Sequence, residues 1–439
     1  MRCSRVPASG SLPIRVRVAG GASLRHRGFA AALARFEEEG CVPTIQSRRV
    51  SGFTTSIFGE MSMLAQRHQA INLGQGFPDF PGPAVIKQAA NAAIDANLNQ
   101  YPPSPGLPRL RQALAAQWEH DHGRAVDWQS EVSITSGATE GLYALTQAIL
   151  DPGDRVLLIE PAYDAYLADV VMAGAEAIPV RLRPPATPDA RWSLDETALR
   201  EAFAHGPKLL LLNTPHNPTG MVFTRAELAL IAELCQAHDT LVISDEVYDR
   251  MVYDDARHIP LATLPGMWER TITLGSTGKT FGVTGWKVGW AIGAAPINQA
   301  LRQAKQWITF TTPTPLQEAT AVAIEQAPAN GYYDQLHAEY TARRDLLRDL
   351  LQTAGLTPLP VEGAYFISCD VRGFGHTNDR EFCRWLIREA GVAAIPSSIF
   401  YSREADLPHI ARFCFAKQHA TLLAAGERLR QVATWAVGA

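Results

Sequence analysis

With 439 residues, a 46% hydrophobic fraction and a formal net charge of -4, the chain is long enough for two domains around a large buried core. The charge balance lacks the basic excess that nucleic acid or an anionic membrane surface demands, and no apolar run approaches the roughly 18 residues of a membrane-spanning helix. The six cysteines are scattered, with no CxxC pair and no zinc-type Cys/His spacing, which points to a reduced, cytoplasmic compartment with thiols such as Cys235 and Cys414 in the core.

The first 36 residues hold seven Arg, four Ser and no acid, the composition of an organellar transit peptide. The same Arg- and Ala-rich stretch is what translation from upstream of the true start would add, with Val42 or Val50 as the start. Because the pattern lacks a clear amphipathic repeat, residues 1–42 are expected to be a disordered or mis-started extension, with an organellar location as the alternative to the cytoplasm. From about residue 130, short apolar runs alternate with helical patterns, the signature of a mainly parallel sheet with crossover helices. The predicted strands are VSIT from Val132, RVLLIE from Arg155, KLLLLN from Lys208, TLVISD from Thr240, RTITLG from Arg270 and KVGWAIG from Lys287. Several are apolar at consecutive positions, as in strands covered on both faces. Ligands of such sheets bind beyond the strand carboxyl ends, and polar loops stand there: SGATEG, PAYDAY, TPHNPTG, DEVY and STGK. Leu336, Tyr340, Leu347 and Leu351 then keep helical spacing along a linking helix. GAYFISCDV, REFCRWLIREAGV and HIARFCFAK predict a smaller α/β domain, formed by 43–85 and 325–439 beside a large domain of 86–324.

The loops carry chemistry. SGATEG puts small residues between a strand and a helix, where free N–H groups and the helix dipole bind phosphate; the competing reading is a plain N-cap by Ser136 or Thr139. Asp245 ends an apolar strand, and a buried carboxylate needs a cation, either a protonated pyridine nitrogen or a structural salt bridge. Tyr248, three residues on, is placed to reach the same ligand. Of 40 basic residues only six are Lys, yet Lys279 and Lys287 both stand in STGKTFGVTGWKVGW. Arg cannot form an imine, whereas a desolvated Lys can. A loop lysine alone reads as a surface charge; with Asp245 it is the minimum apparatus for pyridoxal phosphate.

From about residue 43 to the end, NLGQGFPDFP, SGATEG, EPAYDAY, NTPHNPTG, SDEVYD, STGKTFGVTGWKVGW and ARFCFAK stand in an order that resembles the class I aminotransferases of the aspartate aminotransferase fold. Bacterial methionine aminotransferases and the kynurenine aminotransferases that double as cysteine-conjugate β-lyases are the most similar branches. The resemblance implies an α/β fold type I structure, with a mainly parallel seven-stranded sheet between helices in the large domain. It implies pyridoxal 5′-phosphate on Lys279 as Schiff-base lysine and proton shuttle, with Asp245 on the pyridinium, Tyr248 and Asn217 on the 3′ oxygen, and Tyr163 stacked on the ring. The backbone of Ala138 and Thr139, the Ser276 hydroxyl and Lys287 would hold the phosphate, with Tyr101 reaching it from the second subunit of a homodimer. Arg412 would clamp the substrate carboxylate as a two-pronged donor, finished by Asn217 and the Gly76 backbone.

Phe58 replaces a tryptophan of the kynurenine-type pattern near the entrance. No second arginine stands out for a distal carboxylate, so the expected reaction is ping-pong transamination between a bulky neutral amino acid, such as methionine, an aromatic or kynurenine, and a 2-oxo acid. The nearest rival is a cysteine-conjugate β-lyase, alone or as a side activity. A ligand-sensing DNA-binding regulator is a poor fit, because about 42 N-terminal residues without a helix-turn-helix pattern are too few.

Overall fold

The computed structural model describes residues 45–47, 49–53, 57–402 and 407–436. The extension 1–42, with Cys3 and Cys41, lies outside the described residues. The chain divides after Gly52 into two units. In the first, the N–H groups of Val50 and Ser51 donate to Ser47 O at 3.1 and 3.0 Å, closing a turn. The second contains every helix and strand of the described residues.

Seven strands form its main sheet: β1 Val132–Thr135, β2 Arg155–Glu160, β3 Glu176–Arg181, β4 Leu209–Asn213, β5 Leu241–Asp245, β6 Thr271–Ser276 and β7 Gly289–Gly293. Their order is β1-β7-β6-β5-β4-β2-β3, and only β7 runs against its neighbours. The consecutive apolar residues are explained by burial on both faces. Val156, Leu158, Leu209 and Leu211 enter one core cluster, while Leu157, Ile159, Leu210 and Leu212 enter another on the opposite face. The six strands expected from the sequence all form. The seventh, β3, reads EAIPVR, a partly exposed edge strand with Pro179 in its middle, so it lacks the solid apolar run of its neighbours. The run from Lys287 becomes strand only at Gly289, because Lys287 itself is left-handed at φ 53°.

Two of the connecting helices matter for the site: α1, Gly137–Ile149, follows β1, and α2, Asp164–Ala173, follows β2. The long amphipathic pattern is α3, Tyr332–Thr353, with Leu336, Tyr340, Leu347 and Leu351 buried. A second, antiparallel sheet contains β8 Thr357–Pro358, β9 Phe366–Asp370, β10 Ile395–Pro396 and β11 Ile410–Cys414 in the order β10-β11-β9-β8. The described cysteines, Cys235, Cys369, Cys383 and Cys414, are buried free thiols. Among the described residues, no helix is long and apolar enough to cross a membrane, and no cluster of His, Cys, Asp or Glu could hold a metal ion.

Candidate active site

The carboxyl ends of β1, β2, β4, β5 and β6 open onto a cavity of about 460 Å³, with Phe366 and Arg412 reaching it from the smaller sheet. It brings together all the site residues expected from the sequence except Tyr101. Tyr101 is 82% exposed and meets the exposed Phe310 edge-on.

Lys279 sits in the helical turn that follows β6. Its Nζ donates to the Tyr365 hydroxyl at 2.7 Å and, at a longer 3.4 Å, to the Gly76 carbonyl. No carboxylate among the described residues pairs with it, and burial outweighs the attraction of Asp245 and lowers its pKa to about 8. About a tenth of the lysine population is then an unprotonated amine at pH 7, far more than for an ordinary lysine, and that form is the one nucleophile and base chemistry requires.

Asp245 closes β5 and is 6% exposed. Its Oδ2 accepts from the Tyr166 hydroxyl at 2.7 Å, and its main-chain carbonyl from Asn213 Nδ2 at 2.8 Å. The salt-bridge alternative is not realised, since no cation among the described residues forms an ion pair with it. Burial raises its pKa to about 6 even though Tyr166 and Lys279 pull the other way. Tyr248, also buried, has its phenol pKa raised by desolvation and remains a neutral donor.

Arg412 lies in β11 between apolar neighbours and is 2% exposed. It donates through Nη1 to Asn217 Oδ1 at 2.6 Å and through Nη2 to Gly74 O at 3.1 Å, with the Phe366 ring 4.0 Å below its guanidinium carbon. These partners are neutral, and Nε has none. Burial lowers its pKa to about 10, the mark of a charge stripped of water without a counterion.

At the other end of the cavity, Lys287 Nζ lies 3.3 Å from Thr139 Oγ1 at the start of α1. Gly289 lets β7 approach α1 closely, since a Cβ there would stand 2.6 Å from the Gly137 carbonyl carbon. The N-cap reading of SGATEG fails: Ser136 makes no side-chain cap, and its own N–H donates to Glu140 Oε2 at 2.5 Å. The Ser136 hydroxyl meets Thr312 Oγ1 at 3.2 Å, and what the start of α1 offers a ligand is helix N–H groups that lack intrahelical acceptors.

Sequence reasoning missed Tyr166 and Tyr365. Tyr166 stands one helical turn after Tyr163, so the i, i+3 spacing in PAYDAY was a usable signal. Tyr365 in GAYFISCDV carried none, because an aromatic in an apolar run reads as core.

A lysine amine, a buried carboxylate and a buried guanidinium around one cleft form an apparatus for amino-group chemistry, and residues 68–429 match the family Aminotransferase class I and II. The chain belongs to the class I and II aminotransferases. This aminotransferase is 44% identical over 394 residues to a probable N-succinyldiaminopimelate aminotransferase of Mycobacterium tuberculosis, covering 88% of this chain and 98% of that protein. It is 40% identical over 413 residues to kynurenine–oxoglutarate transaminase 1 of Homo sapiens, covering 88% and 98%. The solved structure of Escherichia coli YbdL, identified with a methionine aminotransferase function, matches at TM-score 0.83 and 38% identity over 89% of this chain and all of that one. The aminotransferase thus has the pyridoxal-phosphate-dependent type I fold of its solved relatives, and its enzyme class is transaminase.

Proposed function

We propose that this aminotransferase moves the amino group of an L-amino acid with a bulky uncharged side chain to a 2-oxo acid, with pyridoxal 5′-phosphate held in the cavity described above. The observation that carries the reading is the set of three buried groups on one cavity, Asp245, Lys279 and Arg412, none of which has a counterion among the described residues. The residues present fit the cofactor. Asp245 lacks a cation, which a protonated pyridine nitrogen supplies, and the start of α1 with Lys287 and Ser276 offers donors to a phosphate. When bound, the cofactor supplies an aldehyde for the amine and a ring that withdraws electrons from the substrate Cα.

The chain's own groups then have separable tasks. Arg412 grips the substrate carboxylate, with the Gly76 backbone beside it, and orients Cα toward Lys279. Lys279 Nζ would take the Cα proton and hold it within the cavity, while the cofactor would supply the sink for the electrons left behind. Asp245 holds the proton on the ring nitrogen. Asn217 gives its Oδ1 to Arg412, which leaves its Nδ2, with the Tyr248 phenol, as donors to the 3′ oxygen. Tyr163 covers one face of the ring and helps exclude water. Tyr101, exposed and away from its own cavity, supports a homodimer in which it reaches the phosphate of the second site.

The side-chain preference rests on the cavity wall. Its cationic side chains among the described residues are Lys279, Lys287 and Arg412, each already engaged, and Phe58 and Phe366 line the substrate end. A distal carboxylate, as in N-succinyldiaminopimelate or glutamate, finds no further cation there. A donor panel scored by the loss of the cofactor's visible absorbance tests this. Methionine and phenylalanine should convert the spectrum at lower concentration than glutamate or N-succinyldiaminopimelate; the reverse order would sink the assignment.

A further inference from the structure

We infer that Tyr365, which is not on the cavity wall, is a positioning residue for Lys279: with the Gly76 carbonyl it takes up both N–H bonds of the free amine, so that the lone pair is the valence left for proton transfer. The inference rests on the reading of Lys279 as the base at the substrate Cα. Tyr365 donates its hydroxyl hydrogen to Gly76 O at 2.6 Å, so toward Lys279 its oxygen can only accept. Lys279 Nζ donates to that oxygen at 2.7 Å and to Gly76 O at 3.4 Å, and these are its partners among the described residues. A neutral amine has two N–H bonds and one lone pair, and the two acceptors account for both bonds. An ammonium would carry a third N–H without an acceptor.

Both acceptors are held firmly. The Tyr365 ring is fully buried, stacked on Tyr340 with centroids 6.2 Å apart and edge-on to Tyr248 at 5.1 Å. Burial pushes its phenol pKa well above the ordinary value, so it acts as a fixed dipole and not as a base. Gly76 passes so close to Phe366 that a Cβ would stand 2.7 Å from the ring. The loop beyond it is tied down by Lys417 Nζ on Phe77 O at 2.7 Å and by Gln418 N on Asp79 Oδ1 at 2.6 Å. Other groups facing Lys279 are Asp245 from β5, which attracts a proton to it, Arg412 from β11 and Lys287 before β7, which repel one, the Cys414 thiol and the Tyr248 ring. Apart from Gly76, Tyr365 is the group that hydrogen-bonds the amine directly.

The test uses the full-length holoenzyme after conversion by excess methionine and gel filtration, a form in which Lys279 is not bonded to the cofactor. The rate at which acetic anhydride modifies Lys279 is followed against pH by peptide mass spectrometry, in the wild type and in Tyr365→Phe. The variant keeps every ring contact and loses one acceptor. Since an acceptor stabilises an ammonium more than an amine, the midpoint should fall by about one unit. The single-turnover rate should fall by about tenfold with a larger isotope effect from Cα-deuterated methionine, while half-saturation changes by less than about twofold, because only proton transfer uses the lone pair. An unchanged midpoint and isotope effect overturn the inference. Loss of the bound cofactor's spectrum in the variant also overturns it, since Tyr365 would then be structural. If methionine and the rest of the donor panel fail to convert the wild-type spectrum, the proposed function fails first and takes the inference with it.

Discussion

Replacing Asp245 by Asn separates the cost of this carboxylate to the fold from its service to the cofactor. Burial lifts its pKa from 3.8 to about 6 in the cofactor-free chain. Two units at about 1.36 kcal/mol each make the ionised form about 3 kcal/mol worse in the fold than in the unfolded chain. The sign follows from the direction: a raised folded pKa means that stability is fully present below the unfolded value and is lost as pH rises through about 6. Asn carries no charge and can still meet Tyr166, either accepting from its hydroxyl or donating to its oxygen. In urea unfolding of the cofactor-free proteins, Asp245→Asn should therefore exceed the wild type by about 0.5 kcal/mol at pH 4 and by about 3 kcal/mol at pH 8. Loaded with pyridoxal phosphate the order of merit reverses, and kcat/KM should be about 10²- to 10³-fold lower, the cost of breaking a buried ion pair. A variant less stable than the wild type at pH 8, or a difference that does not depend on pH, would refute the reasoning.

Lys279→Ala should abolish both turnover and the donor-driven change in cofactor absorbance, as read in a stopped-flow half-reaction. Arg412→Gln should lower kcat/KM about 10²- to 10³-fold, the loss of a buried two-pronged grip on a carboxylate. Its melting temperature should stay within about 4 °C of the wild type, because no carboxylate among the described residues is left stranded; a fall of more than that would indicate a structural pairing. Gly289→Ala places a Cβ 2.6 Å from the Gly137 carbonyl carbon and must push α1 away from β7. At a cost of about 1–3 kcal/mol in the cradle, affinity for pyridoxal phosphate should fall about tenfold or more in an absorbance titration, with the sheet intact by circular dichroism.

What was legible in the sequence was whatever leaves a local mark. LLLLN followed by polar residues marks a doubly covered strand and its functional loop, and five such junctions converge on the cavity. Asp245 and Lys279 were legible because a carboxylate or a lysine after an apolar strand demands an explanation. β3 left no such mark, since an edge strand tolerates proline and half-exposed residues. Tyr365 was invisible for a different reason. Its value lies in a hydroxyl that meets residues 76 and 279, and no local spacing encodes a contact across so much chain. The N-cap reading of Ser136 failed similarly, because its hydroxyl meets Thr312, far along the chain, and not a first-turn N–H.

The three decisive groups are displaced in one sense: Asp245 upward, Lys279 and Arg412 downward, each with burial as the leading cause. Each is thereby pushed toward its neutral form, which a fold selected for stability alone would avoid by pairing them. Yet the Asp245 carboxylate bonds a phenol, and the Arg412 guanidinium bonds an amide and a main-chain carbonyl. Keeping them apart leaves one site for a cation and one for an anion, on either side of an amine. A ligand that relieves all three must bring a protonated ring nitrogen to the first, a carboxylate to the second and a reactive carbon between them. Cofactor and amino acid together meet that description, and neither does alone. On the proposed function, a cofactor held by Asp245 and Lys279 would leave Arg412 as the charge still without a counterion, available to the substrate carboxylate.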